Sequence, residues 1–405
     1  MIRKKTVLIL GAGASREVGF PLGETLVNEI HSLAVGETKG RCLRSSPKDI
    51  IDSYQPNACL LWNLLNVAGE KKKDGSNYSV DDISGFAQEL WEAQPPSIDD
   101  FLSHHSDKYG LIGKLCLFFV LSGYEDEKRI CPQKINGAIK YPNMGWYKYL
   151  WKRLQGDVNG DFEKLKENKM SIITFNYDRS LEHYLFKAIR ATYGLQGRED
   201  KVAEFFVKIP IFHVYGELGV LSWKFNHLHE YRTKADITNN FVPASLRDLF
   251  VLCGEPGKYG ATDHDFGPTQ IVGEKVRQDV AKSFIARARQ IKTYHESSAS
   301  DKYRQIFNEA ERVLFLGFAY HHQNISVMGL DIGGAKGSPL SNDVEIYGTA
   351  IGMTSKEVAE TKHYMASFSR PFNALAILNK WEGSEDKTPG FSRITSFLRS
   401  IAPLE

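Results

Sequence analysis

Residues 6–15, which read Thr-Val-Leu-Ile-Leu-Gly-Ala-Gly-Ala-Ser, constrain the fold of this chain more than any other segment. The first half is an apolar run with the length of a buried parallel strand, and the second half is a glycine turn that enters a helix. Gly11 and Gly13 permit positive φ and let backbone N–H groups approach an anion, while the helix presents its positive N-terminus. Doubly wound α/β domains hold nucleotide phosphates in this way. A tight strand-to-helix turn without a ligand would have the same sequence.

The turn departs from the fingerprint of NAD-dependent dehydrogenases. The pattern G-x-G-x-x-G would place a third glycine at position 16, where this chain has Arg16. The turn therefore predicts a nucleotide site without implying hydride transfer.

Alternating strand and helix patterns extend the α/β interpretation along the chain. Further strands are predicted over 171–175, 209–216, 312–318 and 344–348, with C-terminal helices over 372–382 and 390–401. This alternation predicts a Rossmann-like, doubly wound parallel sheet covered on both faces. Residues 36–165 have mostly helical patterns, so we interpret them as a large helical insertion within one domain spanning residues 1–405.

Composition excludes several classes of function. The chain has 405 residues and a net charge of +2, which gives no electrostatic basis for direct nucleic-acid binding or for coating an anionic membrane. No apolar run approaches the roughly 20 residues of a membrane span, and the apolar segment at the N-terminus is too short for a signal peptide. The five cysteines form no C-x-x-C pair, so we predict no zinc ribbon and no bound metal. These features predict a cytoplasmic protein.

Polar residues and glycines follow the predicted strands, at the edge where doubly wound sheets bind ligands. In chain order they are Gly11, Gly13, Ser15, Asn176, Asp178, His213, Tyr215, Gly216, Gly317, Gly348 and Thr349. Because the carboxyl ends of parallel strands share one edge, these residues predict one concave site.

Four motifs in this order resemble the sirtuin family. They are Gly-Ala-Gly-Ala-Ser at 11–15, Thr-Phe-Asn-Tyr-Asp at 174–178, His-Val-Tyr-Gly at 213–216 and Leu-Gly-Phe at 316–318. The sirtuin pattern is G-A-G-x-S, then T-Q-N-x-D, then H-G, then a strand end similar to G-T-S. The match runs through both ends of the chain and leaves out the helical insertion. The resemblance implies that NAD lies stretched across the sheet and is cleaved at its nicotinamide–ribose bond.

The resemblance also implies a role for each matching residue. Gly11, Ala12, Gly13 and Ser15 would contact the diphosphate, and Gly317, Phe318, Gly348 and Thr349 would line the adenosine end. Asn176 would order the attacking group beside the ribose, Asp178 would accept from the nicotinamide amide, and His213 would be the general base. Nicotinamide leaves as a stable group, so a polar cage for the sugar cation and a base with a pKa near 7 are what the chemistry needs.

Three departures from the sirtuin pattern bear on these roles. Phe175 replaces the family glutamine. Tyr215 directly precedes the glycine where the sirtuin histidine stands, and His213 lies two residues earlier on the same strand face, so either residue could occupy the base position, with Tyr215 otherwise lining the pocket. The missing zinc ribbon, which frames the acyl-lysine groove in deacetylases, favours water as the acceptor.

These features are most similar to the divergent bacterial sirtuin-like NADases of antiviral defence, some of which pair with a HerA-type ATPase. The resemblance implies an NAD glycohydrolase that releases nicotinamide and ADP-ribose, works as a homo-oligomer and is activated within a complex. Two alternatives stay open at this point. One is ADP-ribosyl transfer to a protein or deacylation of a protein. The other is a non-catalytic subunit that binds NAD or ADP-ribose within an assembly.

Overall fold

The computed structural model describes residues 1–35, 58–95, 97–125, 133–135, 138–140, 145–221, 237–238, 274–293, 296–297, 301–331, 339–341, 343–350, 353–368, 373–376 and 393–404. Its helices are α1 (Ala12–Arg16), α2 (Gly23–Val35), α3 (Ala58–Val67), α4 (Val80–Ala93), α5 (Ile98–Tyr124), α6 (Gly145–Leu154), α7 (Phe162–Leu165), α8 (Ser180–Thr192), α9 (Glu199–Lys208), α10 (Glu274–Arg289), α11 (Asp301–Asn308), α12 (His322–Val327), α13 (Ser355–Phe368) and α14 (Arg393–Ser400). Its strands are β1 (Thr6–Leu10), β2 (Gln133–Ile135), β3 (Ala138–Lys140), β4 (Met170–Thr174), β5 (Ile211–His213), β6 (Val220–Leu221), β7 (Ile237–Thr238), β8 (Arg312–Leu316), β9 (Glu345–Thr349) and β10 (Ala374–Ala376).

The main sheet has six strands in the order β10-β9-β8-β1-β4-β5, and every neighbouring pair is parallel. Numbered by chain order within the sheet, this is the 3-2-1-4-5-6 order of Rossmann-like domains. The predicted α/β parallel fold is therefore confirmed. The chain first builds outward from β1 through β4 and β5, then returns to build outward on the other side through β8.

Central strands are buried on both faces, which explains their continuous apolar sequence. All five residues of β1 and all five of β8 are buried. Leu10 pairs with Thr174 of β4 on one side and with Leu316 of β8 on the other, so three strands end at the same level. The segments that follow them therefore meet at one edge of the sheet.

Several predicted elements have different limits in the structure. The third predicted strand ends at His213, after which the chain turns away from the sheet and Gly216 adopts a φ of +77°. Gly348 and Thr349 lie inside β9 rather than beyond it. The antiparallel hairpin of β2 and β3 lies within 36–165, where no strand was predicted. Residues 36–57 of that region lie outside the described residues.

The helix predicted over 372–382 is wrong at its start, because residues 374–376 form the edge strand β10 beside β9. The Asn373 N–H donates to the carbonyl of Ile346 (2.7 Å), and the Asn373 side chain accepts from the Ile346 N–H (2.6 Å). These bonds to the edge of β9 stabilise a strand, although the local pattern of Ala and Leu residues also fits a helix. The second C-terminal helix agrees with α14.

The remaining helices join one hydrophobic core. Helix α2 packs against α4 and α5, and α5 also packs against α10. Helix α6 packs against both α8 and α14. None of the helices in the described part of the chain has the length and apolar character needed to cross a membrane.

The turns after β1 and β8 touch through their backbones. Gly11 N–H donates to the Leu316 carbonyl and Gly13 N–H donates to the Gly317 carbonyl, both at 3.0 Å. Gly11 has a φ of −104°, which any residue can adopt. Glycine is needed there because the neighbouring backbone leaves no room for a side chain. A Cβ at Gly11 would lie 2.5 Å from the Gly317 oxygen. Gly317 itself has a φ of +58°, and a Cβ there would lie 2.2 Å from the Ala14 nitrogen.

We expect Gly317→Ala to lower the free energy of unfolding by about 3 kcal/mol or more, because it adds a backbone clash to the cost of left-handed φ. Gly194→Ala is the matched control, since Gly194 has a φ of +62° and no described neighbour within 4 Å of the added Cβ. The control should lose about 1–2 kcal/mol. Urea denaturation measures both, and equal losses would contradict the tight contact between the two turns.

Candidate functional site

The glycine turn and the end of β4 are joined by side-chain hydrogen bonds. Ser15 Oγ donates to Asp178 Oδ2 at 2.6 Å. The side-chain amide of Asn176 donates to Ser15 Oγ at 2.8 Å and to the carbonyl of Gly11 at 2.9 Å. Three residues that the sequence placed in one site from distant segments are therefore in direct contact.

His213 joins this group from the neighbouring strand β5. Its Nδ1 lies 2.8 Å from the backbone carbonyl of Asn176, and because a carbonyl can only accept, Nδ1 carries a proton. Its Nε2 lies 2.9 Å from Oε1 of Glu182 in the first turn of α8. Both ring nitrogens of His213 therefore have partners within the protein.

Glu182 and Glu217 are site residues that the sequence reasoning missed. Ligand atoms of Glu182, His213 and Glu217 lie within 4.8 Å of one another, so these residues have the types and spacing that could hold a cation. The buried Arg179 guanidinium also acts electrostatically on both glutamates. Glu182 lies on α8, four residues after Asp178 in the sequence. Its position beside His213 becomes clear only from the structure, where β4 pairs with β5.

Asp178 is fully engaged by serine hydroxyls and backbone. Besides the bond from Ser15, its Oδ1 accepts from the Ser180 N–H (3.1 Å) and from the Ser180 hydroxyl. Burial raises the pKa of the Asp178 carboxyl, and the serine donors act in the opposite direction. Ser180 Oγ in turn lies 2.7 Å from the hydroxyl of Tyr147 on α6. The oxygens predicted to accept from nicotinamide thus already have donors in this structure.

A small cavity lies beside these side chains, with a volume of about 10 Å³, which is room for roughly one water molecule. Its lining is Leu10, Ala14, Ser15, Trp146, Tyr147, Thr174, Asn176, Asp178, Leu181, Glu182 and Ile211. Trp146 closes it from α6 and donates its indole N–H to the Ala14 carbonyl at 3.0 Å. Ligand pockets of about 300–1,000 Å³ are far larger, so this cavity between the described residues cannot itself hold a dinucleotide.

Tyr215 and Phe318, two of the other predicted binding residues, pack with Phe175 in an aromatic group. The Phe175 ring lies 5.4 Å from the Tyr215 ring and 5.1 Å from the Phe318 ring, measured between centroids. The Tyr215 hydroxyl donates to Asn324 at 2.6 Å. Gly317 N–H donates to the Thr349 hydroxyl at 2.8 Å, next to Gly348. Phe175, which departs from the sirtuin pattern, therefore packs at the centre of this group.

Helix α5 contacts the segment after β4 at both of its ends. Near the N-terminus, Asp99 accepts from the Tyr177 hydroxyl. At the C-terminus, the Glu125 carboxylate accepts from the backbone N–H of Arg179 (2.7 Å) and from its guanidinium, and both side chains are fully buried. A non-helical residue, His105, kinks the helix between these contacts. The backbone around Asn176 is therefore held by two contacts from one helix.

Comparisons of the chain with protein-family models, with curated proteins and with solved structures find no match. The sirtuin resemblance therefore rests on the four motifs and on the positions that their residues occupy in the fold. Those positions bring Ser15, Asn176, Asp178 and His213 together and place Tyr215 and Phe318 in the aromatic group with Phe175.

We expect Glu125→Ala to destabilise the protein by about 3–5 kcal/mol, because it leaves the buried Arg179 charge without its partner. Arg3→Ala is the control, since the Arg3–Asp157 pair is mostly exposed and should contribute about 0–1 kcal/mol. Urea denaturation at neutral pH measures both variants. A loss below 1 kcal/mol for Glu125→Ala would contradict the anchoring role of the pair.

Burial raises the pKa of the Asp99 carboxyl to about 6, although the hydrogen bond from Tyr177 lowers it. The native state then binds more protons than the unfolded chain between pH values of about 4 and 6, so this group's contribution to stability falls as pH rises through that window. Wild type should lose about 1–2 kcal/mol relative to Asp99→Asn between pH 4 and pH 7, because solvent reaches part of Asp99 and weakens the effect of burial. Urea denaturation across this range tests the sign, and a pH-independent difference would refute it.

Proposed function

We propose that this chain is an NAD glycohydrolase that cleaves NAD to nicotinamide and ADP-ribose. One observation carries the proposal: Nδ1 of His213 lies 2.8 Å from the backbone carbonyl of Asn176, at the ends of two adjacent strands of a Rossmann-ordered sheet. The Asn176 amide also contacts the glycine turn that follows the first strand. Doubly wound sheets bind their ligands at this edge.

These residues fit the chemistry of nicotinamide release. Departure of nicotinamide leaves a cationic sugar, which a side-chain amide such as Asn176 can stabilise through its oxygen while ordering the attacking group. Imidazole is the base suited to taking a proton from a ribose hydroxyl or from water near neutral pH. In this structure the amide bonds to Gly11 and Ser15 and the imidazole bonds to Glu182. Substrate binding must therefore exchange these bonds for bonds to the ribose.

An enzyme that destroys NAD must be restrained in the cell that makes it. The cavity of about 10 Å³ supports a resting state that does not admit substrate. We infer that residues 36–165 are a helical insertion within the NAD-binding domain and that the protein acts in the cytoplasm in antiviral defence. A second copy of the chain or a HerA-type ATPase is the partner expected to release the restraint.

A non-catalytic subunit that binds NAD or ADP-ribose is the second candidate. It is favoured by the engagement of both His213 nitrogens and by Phe175, which fills the position of a polar family residue with a buried ring. This candidate predicts ligand binding without release of nicotinamide, whatever partner is present.

We expect Asn176→Ala and His213→Ala each to reduce NAD turnover by about 100-fold or more, the scale of a positioned catalytic group. Asn308→Ala and His363→Ala are matched controls at exposed positions and should leave turnover unchanged. Chromatography of NAD and nicotinamide after incubation, with and without the neighbouring gene product, gives the rates.

NAD loss in buffer without a protein acceptor would support hydrolysis over ADP-ribosyl transfer or deacylation. Unchanged rates in both folded site variants would reject the assignment of these residues. Tight NAD binding with no nicotinamide release in any mixture would reject the hydrolase and support the non-catalytic subunit.

A further inference from the structure

The side-chain amide of Asn176 is held in one orientation by two acceptors. Its Nδ2 donates to the carbonyl of Gly11 at 2.9 Å and to Ser15 Oγ at 2.8 Å. Because a backbone carbonyl can only accept, the end of the amide that faces Gly11 is the NH2 group. Both protons of that group are therefore engaged, and Oδ1 is the end that forms no hydrogen bond with the described part of the chain.

Ser15 accepts from Asn176 because the proton of its own hydroxyl is used elsewhere. A serine hydroxyl has one proton, and Ser15 Oγ donates it to Asp178 Oδ2 at 2.6 Å. The lone pairs that remain on Ser15 Oγ can only accept, so they bind the NH2 end of the Asn176 amide and would repel its oxygen end. Asp178 thereby acts on Asn176 through the Ser15 hydroxyl.

Asp178 is also held from its other side. Its Oδ1 accepts from the N–H (3.1 Å) and from the hydroxyl of Ser180. Since the Ser180 proton is used in this bond, the Tyr147 hydroxyl is the donor in its 2.7 Å contact with Ser180 Oγ. Ser15 and Asp178 are 4% and 7% exposed, so water competes little for these bonds. Hydrogen-bond donation thus runs toward Asp178 from both sides.

We propose that Ser15 and Asp178 are the positioning residues of Asn176: they turn its amide so that Oδ1, and not the NH2 group, is presented to a ligand at the sheet edge. This assignment differs from the roles that the sirtuin resemblance implies, in which Ser15 contacts the diphosphate and Asp178 accepts from nicotinamide. In this structure the Ser15 proton and both Asp178 oxygens have partners inside the protein.

The consequence for catalysis rests on the proposed hydrolase. The amide oxygen carries partial negative charge and stabilises a cationic sugar, whereas the NH2 group carries partial positive charge and repels it. An incoming ribose therefore meets the favourable end of Asn176 before any bond of the amide is exchanged. Without Ser15 as an acceptor, only the Gly11 carbonyl holds the NH2 group, and the amide turns over more readily.

Nuclear magnetic resonance of the ligand-free protein tests the orientation. Labelling with ¹⁵N-asparagine gives two side-chain proton signals for Asn176, which are identified by their absence in Asn176→Ala. We expect both protons to resonate downfield of those of exposed asparagines in wild type, because both are hydrogen-bonded. In Ser15→Ala, one of the two should move upfield toward the exposed value.

Asp178→Asn should move the same proton as Ser15→Ala, although the Ser15 hydroxyl is still present. The new N–H donor at position 178 takes a Ser15 lone pair and turns the Ser15 proton away, which weakens the bond from Asn176. Ser32→Ala is the matched control, because Ser32 is exposed and its hydroxyl bonds to a carbonyl of its own helix. It should leave both Asn176 signals unchanged.

Kinetics test the catalytic consequence. In Ser15→Ala and in Asp178→Asn we expect kcat for NAD cleavage to fall about 3- to 10-fold, the effect of one lost hydrogen bond, with KM within about twofold. Adding Ser15→Ala to Asn176→Ala should cause no further loss, because a positioning residue acts only through the residue that it positions. Asp157→Asn, in an exposed ion pair, should match wild type.

Circular dichroism confirms that each variant is folded. If Ser15→Ala does not fold, Ser15→Cys replaces it in every measurement, because a thiol is similar in size to a hydroxyl and accepts hydrogen bonds only weakly.

The outcomes separate this proposal from the proposed function. Unchanged Asn176 signals in folded Ser15→Ala would overturn the role of Ser15, and unchanged signals in folded Asp178→Asn would overturn that of Asp178, even in an active enzyme. A further loss of kcat or a rise in KM when Ser15→Ala is added to Asn176→Ala would show that Ser15 contacts substrate directly, against the proposal. If wild type releases no nicotinamide but the signals change as expected, the hydrolase fails while the positioning of Asn176 stands.

Discussion

The arrangement of the candidate site depends on the register of three parallel strands, which end at the same level of the sheet. Leu10, Thr174 and Leu316 lie side by side, so the segments that follow β1, β4 and β8 begin at the same height. From there, backbone bonds join the first and last of these segments, and the Asn176 amide joins the first to the second. A shift of one residue in any strand would turn every side chain to the opposite face and separate these groups.

The central parallel strands and the polar residues near their ends were predictable from sequence because both follow from strong local signals. Buried parallel strands carry continuous apolar runs, and Ser15, Asn176, Asp178 and His213 each lie at or just beyond one. The edge strand β10 was not predictable, because its Ala and Leu pattern also fits a helix and the free edge of β9 decides the outcome. Glu182 was missed for a similar reason, since its contact with His213 exists only once α8 packs beside β5.

Glycines of the first turn illustrate how one sequence pattern can serve two purposes. The pattern predicts phosphate contacts, whereas in this structure Gly11 and Gly13 allow the turns after β1 and β8 to touch, and their N–H groups donate to the carbonyls of Leu316 and Gly317. Asn176 and His213 likewise form hydrogen bonds within the protein, to Gly11, to each other and to Glu182. In the account proposed here, substrate must compete for these bonds, so a resting site closed on itself would conserve NAD.

A crystal structure of the Asn176→Ala variant soaked with NAD tests the central claim most directly, because this variant should bind the dinucleotide without consuming it. The account predicts NAD across the ends of β1, β4 and β5, with the nicotinamide ribose beside position 176 and within hydrogen-bond distance of His213. A dinucleotide bound elsewhere on the fold, or one whose nicotinamide ribose lies away from position 176 and His213, would contradict it.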